Sequence, residues 1–75
     1  MEITIGNNND GDLIEVAVRY REVIDGHGYS AHVMVWVPNR DSRSEVCRYA
    51  AEEARKFLQR ALAAHSAAYP QSGEA

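Results

Sequence analysis

The chain of 75 residues is poor in several features that would narrow its class. Its one cysteine, Cys47, excludes an intramolecular disulfide. The first residues lack the basic and apolar regions of a secretory signal. The longest unbroken apolar run, from Val33 to Val37, has five residues, whereas about 20 are needed to cross a bilayer. We therefore expect a soluble, cytoplasmic protein with no membrane partner.

Large apolar side chains are also scarce. Leu, Ile, Val and Phe together number 15, and the chain contains 11 alanines. A chain this short buries only about 60% of its unfolded surface. Small chains therefore usually draw extra stability from disulfides, a metal or a partner chain. Since a disulfide is excluded, a second copy of the chain becomes the expected source, and we predict a homodimer.

Composition changes near residue 40. Ten of the eleven Val and Ile residues lie at or before Val37, and nine of the eleven alanines lie at or after Ala50. β-Branched side chains favour strands and alanine favours helices, so strands should precede a helix. Residues 1–39 carry a net charge of −4 and residues 40–60 a net charge of +2.

Two paired strands are predicted in the first half of the chain. Residues 13–21 and 29–37 each alternate between apolar and polar side chains, the pattern of a strand with one buried face. Asp25-Gly26 favours a two-residue hairpin turn because glycine adopts a positive φ without penalty. That turn places Val18 opposite Val33 and keeps apolar side chains on one face throughout.

The remaining elements complete the predicted fold. Residues 1–5 alternate and predict an edge strand, and the Gly-, Asn- and Asp-rich residues 6–12 predict a loop. The pattern Ser42-x-x-Glu45 reads as a capping box at the start of a helix that should reach Ala67. The sequence thus predicts an α+β fold: a three-stranded antiparallel meander followed by one long C-terminal helix packed on one face. Residues 1–69 would form this single domain.

The predicted helix has an apolar stripe with the period of an α-helix. Its members are Val46, Cys47, Ala50, Ala54, Phe57, Leu58, Ala61, Leu62 and Ala64. We expect Phe57 to join the strand valines in the core and Cys47 to be a small core residue. The last residues, 70–75, follow a helix-ending proline position and are predicted to be a disordered tail.

Catalytic and metal chemistry are not expected. The Asn/Asp loop fails the calcium-binding pattern because a glycine and an alanine stand where carboxylates belong. His27, His65 and Asp25 could gather at one end of the sheet, but their spacing matches no metal motif. Cys47 should lie too far from any histidine for a catalytic dyad. The sequence therefore predicts no catalytic residue, metal site or cofactor, and no enzyme.

The sheet face away from the helix is the most informative predicted surface. Its candidate interaction residues are Arg19, Arg21, His32, Met34 and Trp36. A solvated face would account for the charged members. An exposed Trp beside a Met is more typical of an interface anchor, and an aromatic among arginines can also stack nucleic-acid bases.

The helix end is the preferred dimer contact. A helix from Ser42 to Ala67 would be about 39 Å long, whereas strands of nine residues span about 30 Å, so the helix end should overhang the sheet. The candidate contacts there are Phe57, Leu58, Ala61, Leu62, Ala64, His65 and Ala68. Two geometries stay open: face-to-face packing through Trp36, or exchange of edge strand and helix end. The second is favoured because burying Arg19 and Arg21 without partners would be costly.

The strand–strand–strand–helix order and residues 42–51, SRSEVCRYAA, resemble the C-terminal half of a double-stranded-RNA-binding domain. That half combines a basic cluster at the helix start with an Ala-Ala core pair. Here Asp41, Glu45 and Val46 interrupt the lysine-rich pattern, and the family's N-terminal helix has no counterpart. The resemblance implies a nucleic-acid-binding module, with contacts expected from Arg19, Arg21, Arg40, Arg43 and Arg48. The net charge of −3 opposes that function.

The leading hypothesis is a non-enzymatic protein-interaction module that forms a homodimer. Seven arginines to one lysine, with many alanines, suggest a GC-rich bacterial or phage genome. Small acidic single-domain proteins of this kind include bacterial accessory factors and phage-encoded inhibitors that bind a host complex, which is an analogy of class only.

Overall fold

The computed structural model describes residues 1–69. It contains three strands and one helix: β1 (Glu2–Asp10), β2 (Leu13–Ile24), β3 (His27–Pro38) and α1 (Arg43–Ala68). The strands form one antiparallel sheet in the order β1-β2-β3, and α1 contacts the sheet. The predicted βββα architecture is confirmed. The predicted disordered tail, residues 70–75, lies outside the described residues.

The β2–β3 hairpin has the register that the alternation predicted. All twelve pairs, from Leu13 opposite Pro38 to Ile24 opposite His27, follow from a two-residue turn. Asp25 and Gly26 both have positive φ, 53° and 78°, as a type I′ turn requires. Both strands run further toward the turn than the alternation indicated, because backbone pairing continues where the side-chain pattern has ended.

β1 is longer than the sequence indicated. Residues 6–12 were expected to form a loop, but the strand continues to Asp10 and only residues 11 and 12 turn. The loop prediction was wrong because pairing with β2 resumes at Asn9 after an irregularity that begins at Ile5. The Asn8 amide Nδ2 donates a hydrogen bond to Glu15 Oε1 (2.7 Å) and helps hold this irregular segment against β2.

The core contains small side chains only. Its buried members are Ile14, Val16, Val18, Val33, Val35, Val37, Val46, Ala50 and Ala54. The predicted inclusion of Phe57 was wrong, since 45% of that residue is exposed. Leu58 packs against the core instead, because the buried stripe of α1 advances in steps of four residues. Cys47 is only partly buried, so its interpretation as a core residue was also wrong.

The helix begins where the capping pattern placed it. Ser42 has an extended backbone, and its side-chain hydroxyl accepts a hydrogen bond from the Glu45 N–H (3.3 Å). This bond satisfies one of the N–H groups that have no partner inside the helix. Because α1 starts one short connection after β3, its first turns lie over the end of the sheet where Val37 is buried.

Burial divides the molecule into two halves. In the proximal half (residues 13–18, 33–38 and 43–54), sheet and helix cover one another. In the distal half (hairpin residues 20–32 and helix residues 57–69), no residue is buried. The radius of gyration is 15.2 Å, compared with about 11 Å for a compact chain of this length. The elements are therefore longer than the core that joins them.

Candidate interaction surfaces

The outer face of the sheet carries the predicted interaction residues. The register places Trp36 opposite Glu15, Met34 opposite Ala17, and His32 opposite Arg19. Arg21 lies opposite Ser30, nearer the hairpin turn. Trp36 is 43% exposed and Met34 54%. The structure therefore brings the five predicted residues onto one face.

One of the five already has a partner. The Arg19 guanidinium forms an ion pair with the Glu2 carboxylate on β1, and its Nε–H donates to Glu2 Oε1 at 2.9 Å. This hydrogen bond, and then the charge of Arg19, lower the pKa of the Glu2 carboxyl. Glu2 was not among the predicted surface residues, although alternation in β1 already placed it on the outer face. Arg19 is consequently less free than Arg21 to bind another molecule.

The arginines proposed for nucleic-acid binding do not form one patch. Arg19 and Arg21 lie on β2, while Arg43 and Arg48 lie on α1. Arg48 stacks over the ring of Tyr49, with 5.2 Å between the guanidinium carbon and the ring centroid. Strand and helix arginines thus belong to different layers of the fold, unlike the continuous basic stripe typical of nucleic-acid-binding domains.

The candidate dimer contacts on α1 fall into two groups. Leu58 and Ala61 are partly buried. The exposed members are Phe57, Leu62, Ala64, His65 and Ala68. Leu62 is 65% exposed. The Arg60 guanidinium lies 5.8 Å from the centroid of the Phe57 ring, and the rings of His65 and Tyr69 are 5.8 Å apart. The end of α1 is therefore an apolar surface with one cation, Arg60, at its border.

The side of the sheet that should face the helix is uncovered near the hairpin turn. Tyr29, placed on the apolar face by alternation, is 58% exposed, and Ala31 is exposed as well. A concavity of about 410 Å³ lies here, and all its walls come from the hairpin. They are Tyr20, Arg21, Glu22, Tyr29, Ser30 and Ala31. Sequence alternation identified the apolar face but carried no signal for how far the helix covers it.

The charges on α1 are partly paired along the helix. Arg55 forms an ion pair with Glu52, and the Lys56 ammonium lies 3.3 Å from the Glu53 carboxylate. The hydrogen bond from Arg55 lowers the pKa of the Glu52 carboxyl. From residue 54 to residue 69 the helix contains Arg55, Lys56 and Arg60 but no acid. Residues 54–69 therefore carry formal positive charges only, in contrast to the acidic strands.

Residues 1–69 contain no group of three or more His, Cys, Asp or Glu side chains placed to hold a metal ion. Within the same residues, no helix combines the length and apolar character needed to span a bilayer.

Comparison with protein families, with curated proteins and with solved structures gives no match to this chain.

Proposed function

We propose that this protein is a non-enzymatic protein-interaction module that acts as a homodimer. The observation that carries the proposal is the uncovered distal half. There, the apolar side chains of Tyr29, Phe57 and Leu62 are exposed although the chain has few large apolar residues to spare. Burying them against a second copy would supply the apolar contact that the small core lacks.

The outer sheet face is the proposed surface for a foreign protein partner. Trp, Met and Arg are enriched at protein interfaces, and Trp and Arg often dominate the binding energy. Trp36 and Met34 are exposed two residues apart on β3, and Arg21 and His32 lie on the same face. By analogy of class, this chain would act as a bacterial accessory factor or a phage-encoded inhibitor, and its partner would be a host complex.

Sedimentation at micromolar concentration tests the homodimer. The expected mass is twice 8.4 kDa, and the melting temperature should rise with protein concentration because association stabilises the folded state. The double variant Phe57→Ser/Leu62→Ser should dissociate. The matched control Gln59→Ser/Ala63→Ser changes exposed positions on the same helix segment and should stay dimeric. A monomer mass with a concentration-independent melt would contradict the proposal.

A pull-down from the native host tests the partner surface. A protein captured by the wild type should be lost with Trp36→Ala/Met34→Ala and retained with Glu22→Gln. Sedimentation of each variant would show that the oligomeric state is unchanged. If the protein instead shifted RNA or duplex DNA in a salt-dependent manner, and the arginine variants abolished the shift, the nucleic-acid function would replace this one.

A further inference from the structure

The free edge of β3 presents unpaired backbone groups at every second residue. Because the turn has two residues, Ile24 and His27 form the first hydrogen-bonded pair of the hairpin, and such pairs recur at alternate positions. The odd-numbered residues of β3 therefore bond to β2, and the even-numbered ones direct their N–H and C=O groups outward. The residues that direct both groups outward are Gly28, Ser30, His32, Met34 and Trp36, and Pro38 directs its C=O alone. Pro38, which has no N–H, occupies a position that donates nothing to β2.

Residues 1–69 supply no partner for this edge. β3 is the last strand of the sheet. The backbone hydrogen bonds outside the regular elements join Asn39 to Asp12, Val46 to Ser42 and Tyr69 to His65. The side-chain hydrogen bonds likewise involve no group of β3. An extended row of donors and acceptors is therefore left to solvent.

The two edges of the sheet differ in their protection. β1 has an irregularity between Ile5 and Asn9 and carries the acids Glu2 and Asp10. Bulges and charged side chains are the usual means of keeping an edge strand from pairing with another chain. β3 pairs without irregularity over its twelve residues and contains no Asp, Glu, Lys or Arg. Proline also protects edges, but Pro38 is the last residue of β3, so the rest of β3 is open to strand pairing.

We infer that two copies of this chain join through their β3 strands, antiparallel about a two-fold axis perpendicular to the sheet. This inference deepens the proposed function and depends on its homodimer. The result is a six-stranded sheet with both helices on the same face. Antiparallel pairing puts the distal end of one β3, with the exposed Tyr29, beside the proximal end of the other. The second copy's helix then lies next to the apolar face that the first copy's helix leaves uncovered.

The exposed apolar area suits this arrangement. On the face of the sheet that carries the helices, Tyr29 of β3 and Phe57 and Leu62 of α1 each expose about half of their surface. At roughly 100 Å² for each such side chain, they offer about 300 Å² per chain. A stable interface needs about 600 Å² per partner, and the backbone of the paired strands would supply the remainder.

Amide hydrogen exchange measured by NMR tests the strand pairing. At a concentration where sedimentation gives a dimer, the outward amides of Ser30, His32, Met34 and Trp36 should exchange at least tenfold more slowly than in dilute monomer. The matched control is the other edge: Ile3 and Ile5 have outward amides on β1 and should exchange quickly in both states. A dimer whose β3 amides exchange quickly would overturn this inference but leave the homodimer. A monomer mass would overturn both.

A proline substitution tests the same edge by removing one of its outward backbone N–H groups. His32→Pro removes an outward N–H that makes no bond to β2, and proline is tolerated at such edge positions. His32→Ser, which keeps the N–H, is the control. We expect the dimer dissociation constant to rise at least tenfold for His32→Pro and to change less than threefold for His32→Ser. An unchanged constant for folded His32→Pro would overturn the inference, and if this variant fails to fold, the exchange experiment decides.

Discussion

The proximal and distal halves of this molecule contain the same elements but differ in packing. In the proximal half, β2, β3 and α1 bury nine side chains against one another. In the distal half the hairpin and helix continue, yet none of their residues is buried. Regular backbone structure therefore extends well beyond the tertiary packing. Hairpin pairing and helical hydrogen bonds sustain the elements locally, while apolar side chains decide where the layers join.

Side-chain size explains where the core ends. In the proximal half α1 contributes Val46, Ala50 and Ala54, whose small side chains let the helix lie close to the sheet valines. Beyond Ala54 the stripe position is Leu58, which is only partly buried. The other large apolar residues of α1 beyond Ala54, Phe57 and Leu62, are exposed. The core thus extends along the helix for as long as the stripe consists of small residues.

The largest expected effect distinguishes the two halves directly. Val18 is fully buried, so Val18→Ala should lower the free energy of unfolding by about 1–3 kcal/mol through lost apolar contact and a cavity. Leu62→Ala, at monomer concentrations, should change it by no more than about 0.5 kcal/mol, as surface substitutions usually do. Urea denaturation followed by circular dichroism measures both. Equal losses would show that the helix end is packed in the monomer.

The hairpin turn offers a second, smaller contrast within the distal half. Gly26 has a φ of 78° and no atoms near an added Cβ, so Gly26→Ala should cost about 1–2 kcal/mol from backbone conformation alone. Gly28 has equal space but no positive φ, and Gly28→Ala should be close to neutral. Thermal melts of the two variants provide the comparison. If Gly28→Ala were the more harmful, the turn assignment would be contradicted.

The helix cap gives a third test, located at the proximal end. Ser42→Ala removes the hydroxyl that accepts the Glu45 N–H and should lower stability by about 1 kcal/mol. Ser66→Ala, at an exposed position in the distal half of α1, should be neutral or slightly stabilising because alanine is the better helix former. Denaturation of both variants at equal protein concentration compares the two ends of one helix.

The sequence carried enough information for the fold but not for the extent of packing. Period-two alternation and the Asp25-Gly26 turn together determine the hairpin register, because a one-residue shift would mix the two faces. The Ser42 cap is a local signal and was equally readable. Phe57 was misplaced because steps of three and of four residues are both compatible with a helical stripe, and only the packing of Leu58 against the core chooses between them.

The sequence predicted which residues form the candidate surfaces, but not which of them are paired or exposed. Parity placed Trp36, Met34 and Arg21 on the outer face, as the structure has them. The ion pair of Arg19 depends on the register that places Glu2 opposite it. An irregularity between Ile5 and Asn9 separates this part of β1 from the turn to β2, and no local sequence pattern reveals that irregularity. The exposure of Tyr29 depends on how far the helix reaches, which is a property of tertiary packing. Such long-range features are absent from local sequence periodicity.

The smallest expected effect concerns the ion pair that joins β1 to β2. The hydrogen bond and charge of Arg19 lower the pKa of the Glu2 carboxyl in the folded protein. A lowered folded-state pKa means that the pair stabilises the fold above the pKa of the unfolded state. That contribution is lost as the pH falls through the folded value. Both groups are exposed and the pair is screened by salt, so the gain in stability should be small.

An NMR titration of the Glu2 carboxyl carbon can resolve this effect even when a melt cannot. In Arg19→Ala the pKa of Glu2 should rise toward its ordinary value, because the two largest lowering influences come from the guanidinium. The pKa of Glu52, which is lowered by Arg55 on the helix, should not change and serves as the internal control. A Glu2 pKa that stayed low in the variant would mean that a cation other than Arg19, such as Arg21, dominates the field at this carboxylate. Arg19 would then be available, together with Arg21, to bind a partner on the outer face. The partner surface would carry more positive charge than it does when Arg19 is paired with Glu2.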